Sequence, residues 1–543
     1  MWQFFLNIVH TTEGSIRCGP SLTGGLLVLF CTLSGILWAH DDRAKYSLEN
    51  PKYNSIIVAS VGSHTITAQE FLLNYEFGPA FPKREKNSKK EYLNYMIYEK
   101  LIALDGYKKG IDKTKDAKLS LAEMEGDLAT EELYKREVLS KAKISEETIQ
   151  HGIAQNKKLY SVRWLYQRTS ERIQDQVDLL GRGISFDSLF KKQINDTIKT
   201  DDRSMSMSRF QIAMKNPDVG RILDTLHVQE VSAPIAAPDG FYLFSISDIQ
   251  ESPILTQSDQ IKMHEDVKRA LIQHIADSLS DMYVQKMMNE YHPVIVRKTI
   301  DILQAYLAKT ILSPDRFSAW NLDQRLGQRW GFEYHDTINP SFHLVEMSGN
   351  SFTVKDFLNW YHAREMNLKF DLSSPQSFFN SLEQFVWRMV RDKLLTRRAF
   401  TRGFQNTENV KKQLAWWKDK IVYNIVKAGL ADSVRYSDAL LMHYYDDHQK
   451  DFHDKDGKII PFEKAKDDVL RAYYAFEITK QTVHRVLKLK EQYHIVVNDA
   501  ALSKLSVDTE NDPRAIDVYI AKTGGIFPRP AFPTIDYDWQ TWN

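Results

Sequence analysis

Late in the chain, His443, Asp446, Asp447 and His448 stand close enough together to suggest a metal site. On a helix, however, a five-residue spacing turns the two imidazoles well apart around the axis, whereas four would align them. A solvated helix face is the reading that this spacing supports. Thiol chemistry has less to work with. The two cysteines, Cys18 and Cys31, both lie in the N-terminal leader, so the body of the chain has no thiolate nucleophile, disulfide framework or cysteine metal ligand. Patterns for a G-x-S-x-G elbow, a P-loop or an H-E-x-x-H zinc helix are absent, which removes support for hydrolase and nucleotide chemistry. No cofactor is implied. Aromatic residues are plentiful instead, at 12% of the chain, with Trp320, Trp330, Trp360, Trp387, Trp416 and Trp417 in the second half. Most should sit in helix interfaces, and an exposed remainder would offer a surface for apolar segments of other chains.

The elements that position these residues belong to a multidomain protein. At 543 residues the chain should hold three or four domains. Hydrophobic residues are 43% and charged residues 26%, ordinary for a globular core. Lys+Arg and Asp+Glu both number 71, so the basic excess of a nucleic-acid binder is missing. The basic run Lys83-Arg84-Glu85-Lys86 through Lys89-Lys90 reads as a solvated turn. Residues 22–39 are uncharged and mostly apolar, with Arg17 before and His40-Asp41-Asp42 after. That pattern is a secretory signal, although about 18 residues could also span a bilayer as an uncleaved anchor. Residues 1–42 are assigned to this leader, with both alternatives open, and bulky Phe30 before Cys31 argues against lipid attachment there. The expected location is the periplasm or cell envelope, with membrane contact only through an uncleaved leader.

Behind the leader the chain repeats itself. Residues 58–75 (VASVGSHTITAQEFLLNY) and 344–361 (LVEMSGNSFTVKDFLNWY) pair Thr67, Phe71, Leu72 and Tyr75 with Thr353, Phe357, Leu358 and Tyr361 at a shift of 286. Each reads as a β-run, a turn and a helix with a Thr N-cap. A helix from near Ser88 to Gly110 matches one opening at Ser374-Pro375 and ending at Gly403, with Lys100 on Lys393 at a shift of 293. Ser145, Ile149 and Tyr160 match Ser437, Leu441 and Phe452 at 292. Asp266 to Ala270 and Tyr291-His292 match Asp468 to Ala472 and Tyr493-His494 at 202. The fall in the last shift implies an insert of about 90 residues in the first copy, after Tyr160. Four blocks in one order point to duplication. The expected domains are 55–160, 161–252, 253–302 and 303–500, followed by a Pro- and aromatic-rich tail at 501–543. That tail should dock on the body or on a partner.

The insert reads β-α-β: a strand at Val162–Tyr166, a helix at Ile173–Leu180, a short helix at Phe186–Phe190, and a strand at Gly240–Ile246. Its segments Gly183-Ile184-Ser185-Phe186-Asp187-Ser188-Leu189, Leu226 to Pro234 and Gly240-Phe241-Tyr242 resemble motifs of parvulin-type peptidyl-prolyl isomerases. The flanking helices resemble the body of SurA- and PpiD-type periplasmic chaperones. The resemblance implies an α+β protein of two duplicated, mainly helical chaperone modules, the first with an inserted parvulin-like domain. It also implies a proline pocket, but the two family histidines fall on Trp164 and Tyr242, and Ser204 to Arg209 replaces the glycine-rich turn. The residues left for peptide binding are Trp164, Phe210, Met214, Tyr242 and Phe244, with core packing as the alternative reading of each. The expected function is ATP-independent binding of unfolded or nascent envelope proteins, outer-membrane or secreted. Two alternatives stay open: an active prolyl isomerase with an unfamiliar residue set, and a structural subunit of an envelope complex.

Overall fold

The computed structural model describes residues 51–195, 197–251, 256–331, 338–365, 368–455, 457–507 and 526–542. The expected leader at 1–42 and residues 508–525 of the tail lie outside the described residues. The architecture is α+β, long helices with three small sheets. The described residues form two compact units, a larger one from 51–141 and 277–542 and a smaller one from 142–276. Among the described residues no helix is long and apolar enough to cross a membrane.

The larger unit begins with the hairpin β1 (Ile57–Val61) and β2 (His64–Thr67). Thr67 ends the hairpin and caps α1 (Ala68–Phe77), its hydroxyl accepting the Glu70 N–H at 3.2 Å. This satisfies one of the orphan donors of the first turn. α2 (Ser88–Lys108) follows and ends before Gly110, whose φ of +71° is the left-handed cap that glycine adopts freely. Thr114 then caps α3 (Lys115–Glu137). One expectation is corrected here: Lys83 is not solvated. It is buried, donates to the Glu76 carbonyl at 3.0 Å and lies over the Tyr75 ring.

In the smaller unit, Ser145 caps α4 (Glu146–Asn156), which leads into β3 (Lys158–Gln167). Next come α5 (Ser170–Gly181), α6 (Phe186–Gln193), β4 (Ser204–Ser208), α7 (Arg209–Lys215) and α8 (Pro217–Asp224). β5 (Ile235–Ala237) and β6 (Gly240–Glu251) complete an antiparallel sheet of order β4-β3-β6-β5. Alternation along β3 and β6 gives the sheet two apolar faces. Leu165 and Leu243 meet Phe186, Leu189 and Phe190 of α6 on one face. Tyr160, Val162, Trp164, Tyr242, Phe244 and Ile246 meet α7 and α8 on the other. The long α9 (Gln257–Tyr291) starts in this unit and finishes in the larger one.

The remaining elements are β7 (Val294–Ile295), α10 (Arg297–Ile311), α11 (Pro314–Trp320), α12 (Leu322–Trp330), β8 (His343–Met347), β9 (Asn350–Thr353) and α13 (Val354–His362). They continue with α14 (Pro375–Thr401), α15 (Glu408–Ala431), α16 (Asp438–Asp447), α17 (Phe462–Gln492), β10 (Ile495–Val497) and α18 (Asp499–Ser503). Their local grammar repeats that of the first half. Thr353 caps α13, Ser374 caps α14 with Pro375 at N1, Gly403 has φ +75°, Thr407 caps α15 and Ser437 caps α16.

The sheets are exchanged between the two halves. β1 pairs with β2 and, on its other edge, with β10 in the register Ala59↔Val497. β8 pairs with β9 and with β7 in the register Ile295↔Val345. Each hairpin therefore takes its third strand from the other half of the chain. The helices follow suit: α2 packs on α15 and α17, and α14 packs on α3. The first hairpin, α1 and α2 thus share one apolar core with Val422 and Tyr423 of α15, Val486 and Leu489 of α17, and Leu502 of α18.

Candidate functional site

The five candidate peptide-binding residues do not form one surface. Trp164 and Phe244 are direct cross-strand partners on β3 and β6, with rings 6.2 Å apart, and Tyr242 stacks on Phe244 at 6.0 Å and 9°. All three belong to one core, closed by Ile212, Val219 and Leu223. They are buried, at 7%, 3% and 2% exposure for Trp164, Phe244 and Tyr242. Phe210 and Met214 lie elsewhere. One turn apart on α7, they join Ile149 of α4 and Val267 of α9 in a separate cluster. Phe210 is buried and Met214 half-buried. A helix between two layers presents each face to a different core, and Ile212, not Phe210, is the α7 residue over the sheet.

Around Trp164 and Tyr242 the structure assembles a polar group that the sequence reading missed. The Tyr242 hydroxyl donates to Asp239 Oδ2 at 2.6 Å, and that of Tyr166, the cross-strand partner of Tyr242, donates to the Asp239 carbonyl at 2.5 Å. The Arg203 guanidinium covers the Tyr166 ring at 5.0 Å. Burial and the neighbouring Asp239 carboxylate push the Tyr242 phenol well up, and burial pulls Arg203 down. Trp164 Nε1, Arg203 Nε and Asp239 Oδ1 are buried without a hydrogen-bond partner among the described residues. Half-buried Met205, Met207, Leu226 and Ile235 border this group. Tyr166 was within reach of the sequence, since a strand period of two puts it on the same face as Trp164. Arg203 and Asp239 come from turns and carry no periodic signal.

A parvulin-like isomerase needs polar groups placed against a twisting amide, because only interactions stronger in the transition state speed the step. This lobe offers phenols, one carboxylate and one guanidinium. Its sole histidine between residues 161 and 252, His227, is exposed. In the second half, His443 points to solvent at 77% exposure, 3.7 Å from Asp447, while His448 stacks on Tyr444 at 4.2 Å. The two imidazoles have separate partners, and no metal-binding cluster occurs among the described residues.

A second surface lies on α16 and α17. Tyr436, Leu440 and Phe476 are large, apolar and exposed, at 51%, 45% and 41%. Tyr436, just before α16, meets Tyr474 of α17 edge-on at 5.7 Å, and Tyr444 of α16 contacts Phe476 of α17 at 5.5 Å. The tail contributes a third feature. Residues 526–542 pack on the larger unit, where Phe532, Ile535 and Trp539 enter the core of the first hairpin and α2.

No protein-family model matches the sequence, and no curated protein matches it. Among solved structures the chain is similar to the foldase PrsA of Streptococcus pneumoniae, at 13% identity over 41% of this chain and 89% of that one, with a TM-score of 0.22. It is similar to the peptidylprolyl isomerase PrsA of Bacillus cereus, at 15% identity over 42% and 92%, TM-score 0.20. A third neighbour comes from a pair of SurA-like chaperones of Campylobacter jejuni, at 17% identity over 43% and 97%, TM-score 0.19. Likenesses of this size assign no role to any residue of this chain.

Proposed function

We propose that this protein is an exported, ATP-independent chaperone that holds unfolded envelope proteins, outer-membrane or secreted, with its parvulin-like lobe used for binding rather than catalysis. The carrying observation is the exposed apolar side chains of Tyr436, Leu440 and Phe476 on neighbouring elements, which offer a surface for apolar segments of other chains. Holding an unfolded chain requires apolar surface on a stable frame and nothing more. The two modules are read as a duplication, supported by caps and left-handed glycines that recur in one order. The parvulin-like lobe is the insert in the first copy. Its imidazole positions are taken by Trp164 and Tyr242, both buried, which favours binding at the half-buried rim over isomerisation.

The test is a light-scattering assay on an unfolded outer-membrane protein beside a protease-coupled proline assay on the same full-length preparation. Suppressed aggregation with negligible isomerisation is expected. Leu440→Ser with Phe476→Ser should weaken suppression several-fold while shifting stability by only about 0.5 kcal/mol per site, the usual scale for exposed positions. Robust isomerase turnover, or suppression unaffected by the double substitution, would overturn this reading.

A further inference from the structure

The tail's last turn makes contacts of three kinds on the larger unit. Its main chain is gripped by Asn74, whose Nδ2 donates to the Pro533 carbonyl at 2.9 Å and whose Oδ1 accepts the Ile535 N–H at 3.0 Å. Its indole is received by Glu99 and two tyrosines. Trp539 Nε1 donates to Glu99 Oε1 at 3.0 Å, and the ring lies 5.8 Å from Tyr95 and 6.0 Å from Tyr98. Its acids meet Lys427, which reaches Asp536 at 2.5 Å and Asp538 at 2.6 Å.

The other half of the chain shows what this slot would be without a tail. At the shifts of the two repeat blocks, Glu99 corresponds to Asp392 and Asn74 to Trp360. There, Trp360 Nε1 donates to Asp392 Oδ2 at 3.1 Å, so the acid receives an indole from its own hairpin helix. In the first half the small Asn74 leaves the acid to an indole arriving from the chain terminus. The slot is thus built to be filled, and here its occupant is an extended, Pro-containing, acidic and aromatic segment held partly through its main chain. Such contacts are available to any unfolded chain of the same chemistry.

We propose that this groove is an exchange site, in which residues 532–539 of the tail give way to an extended client segment bearing an acid and, three residues on, a tryptophan. The proposal rests on the chaperone reading and names the segment chemistry that one of its surfaces selects. The resident tail then competes in cis with clients, at the high effective concentration of a tethered ligand.

A fluorescent peptide of residues 526–543 is titrated into the full-length protein and into full-length protein carrying Asp536→Ala and Trp539→Ala. The peptide should bind the substituted protein at least ten-fold more tightly than the unsubstituted one. Adding Lys427→Ala should reduce that binding about ten-fold, and unfolded outer-membrane polypeptide should displace the peptide. A peptide that binds neither protein overturns the proposal. So does a bound peptide that the polypeptide fails to displace, although aggregation suppression would then still support the chaperone reading. If suppression is absent as well, both fail. Circular dichroism melts accompany each variant: loss of folding in the double variant shows a fixed core element and sinks the exchange idea. Lys427→Ala alone, which leaves the indole in place, supplies the milder arm. Because it removes the same contact from the resident tail and from the incoming peptide, it should leave the apparent peptide affinity of the unsubstituted protein within about two-fold, and a ten-fold fall would count against the proposal.

Discussion

Two helical arms of this chain solve the same packing problem with different material. In the first, Ile149 of α4 and Val267 of α9 are bridged by Phe210 of α7. In the second, the sequence-matched Leu441 of α16 and Val469 of α17 are bridged by Phe452, from the connection between those helices, and Phe462, the first residue of α17. The buried pair is the same kind of contact in both arms, and an aromatic wedge completes each. The comparison explains where the Phe210 ring goes: it packs with α4 and α9, apart from Trp164 and its partners. It also explains where open apolar surface arises. The second arm covers its own core but leaves Tyr436, Leu440 and Phe476 outside.

The exchanged strands allow the most severe test of the likeness between the halves. Produced separately, residues 51–312 and 313–543 should each lack a cooperative unfolding transition, because each hairpin lacks its third strand. Mixing or co-expressing them should restore the transition, as read by urea denaturation. Two halves that fold independently would break the comparison at its root.

A smaller effect separates the wedge from a binding role. Phe210→Ala should lower stability by about 3–5 kcal/mol, the usual cost of removing a buried phenylalanine, and Phe462→Ala should cost a similar amount. Both are measured by denaturant unfolding, with client affinity followed beside them. If Phe210→Ala instead lowers client affinity at unchanged stability, the residue lines a groove after all.

The smallest effect is electrostatic and concerns only the tail that fills the slot beside α2. Burial works against the charge of Asp536, but the Lys427 ammonium and its hydrogen bond, with Lys420 nearby, hold its carboxyl below the ordinary value of 3.8. The Tyr423 hydroxyl also faces it, at 3.2 Å. A depressed native value means that the unfolded state binds protons first, so this stabilisation is complete above pH 3.8 and declines as the pH falls through the native value. Tail amide protection in hydrogen exchange should therefore weaken on acidification below that point, and Asp536→Asn should flatten the response.

Local chemistry was legible in the sequence, and non-local pairing was not. Thr67, Thr353, Gly110 and Gly403 announce helix ends because caps depend on one residue and its next few neighbours. The strand exchange gives no such signal. Val294-Ile295-Val296 and Ile495-Val496-Val497 follow the same Tyr-His pair and are nearly interchangeable as β-formers, so nothing local says which hairpin each will join. The candidate site was legible to the same extent. The resemblance grouped Trp164 with Tyr242 and Phe244, which do meet across the sheet, while the seven-residue α7 was too short for periodicity to show that Phe210 and Met214 turn away from them. Arg203 and Asp239 converge from separate turns, which only the folded sheet brings together.

The pairing of β1 with β10 also governs the order in which the molecule can be completed. Asn498 Nδ2 reaches the Ile57 carbonyl across 441 residues of sequence. During synthesis, then, β1 has an open edge until β10 emerges, and closing so long a loop slows folding. A β10 from a neighbouring chain would fit that edge equally well, giving linked pairs of molecules by the route of domain swapping. Chains that stop before Ile495 can never close it. Synthesis of β10 is thus the step that lets the first sheet close.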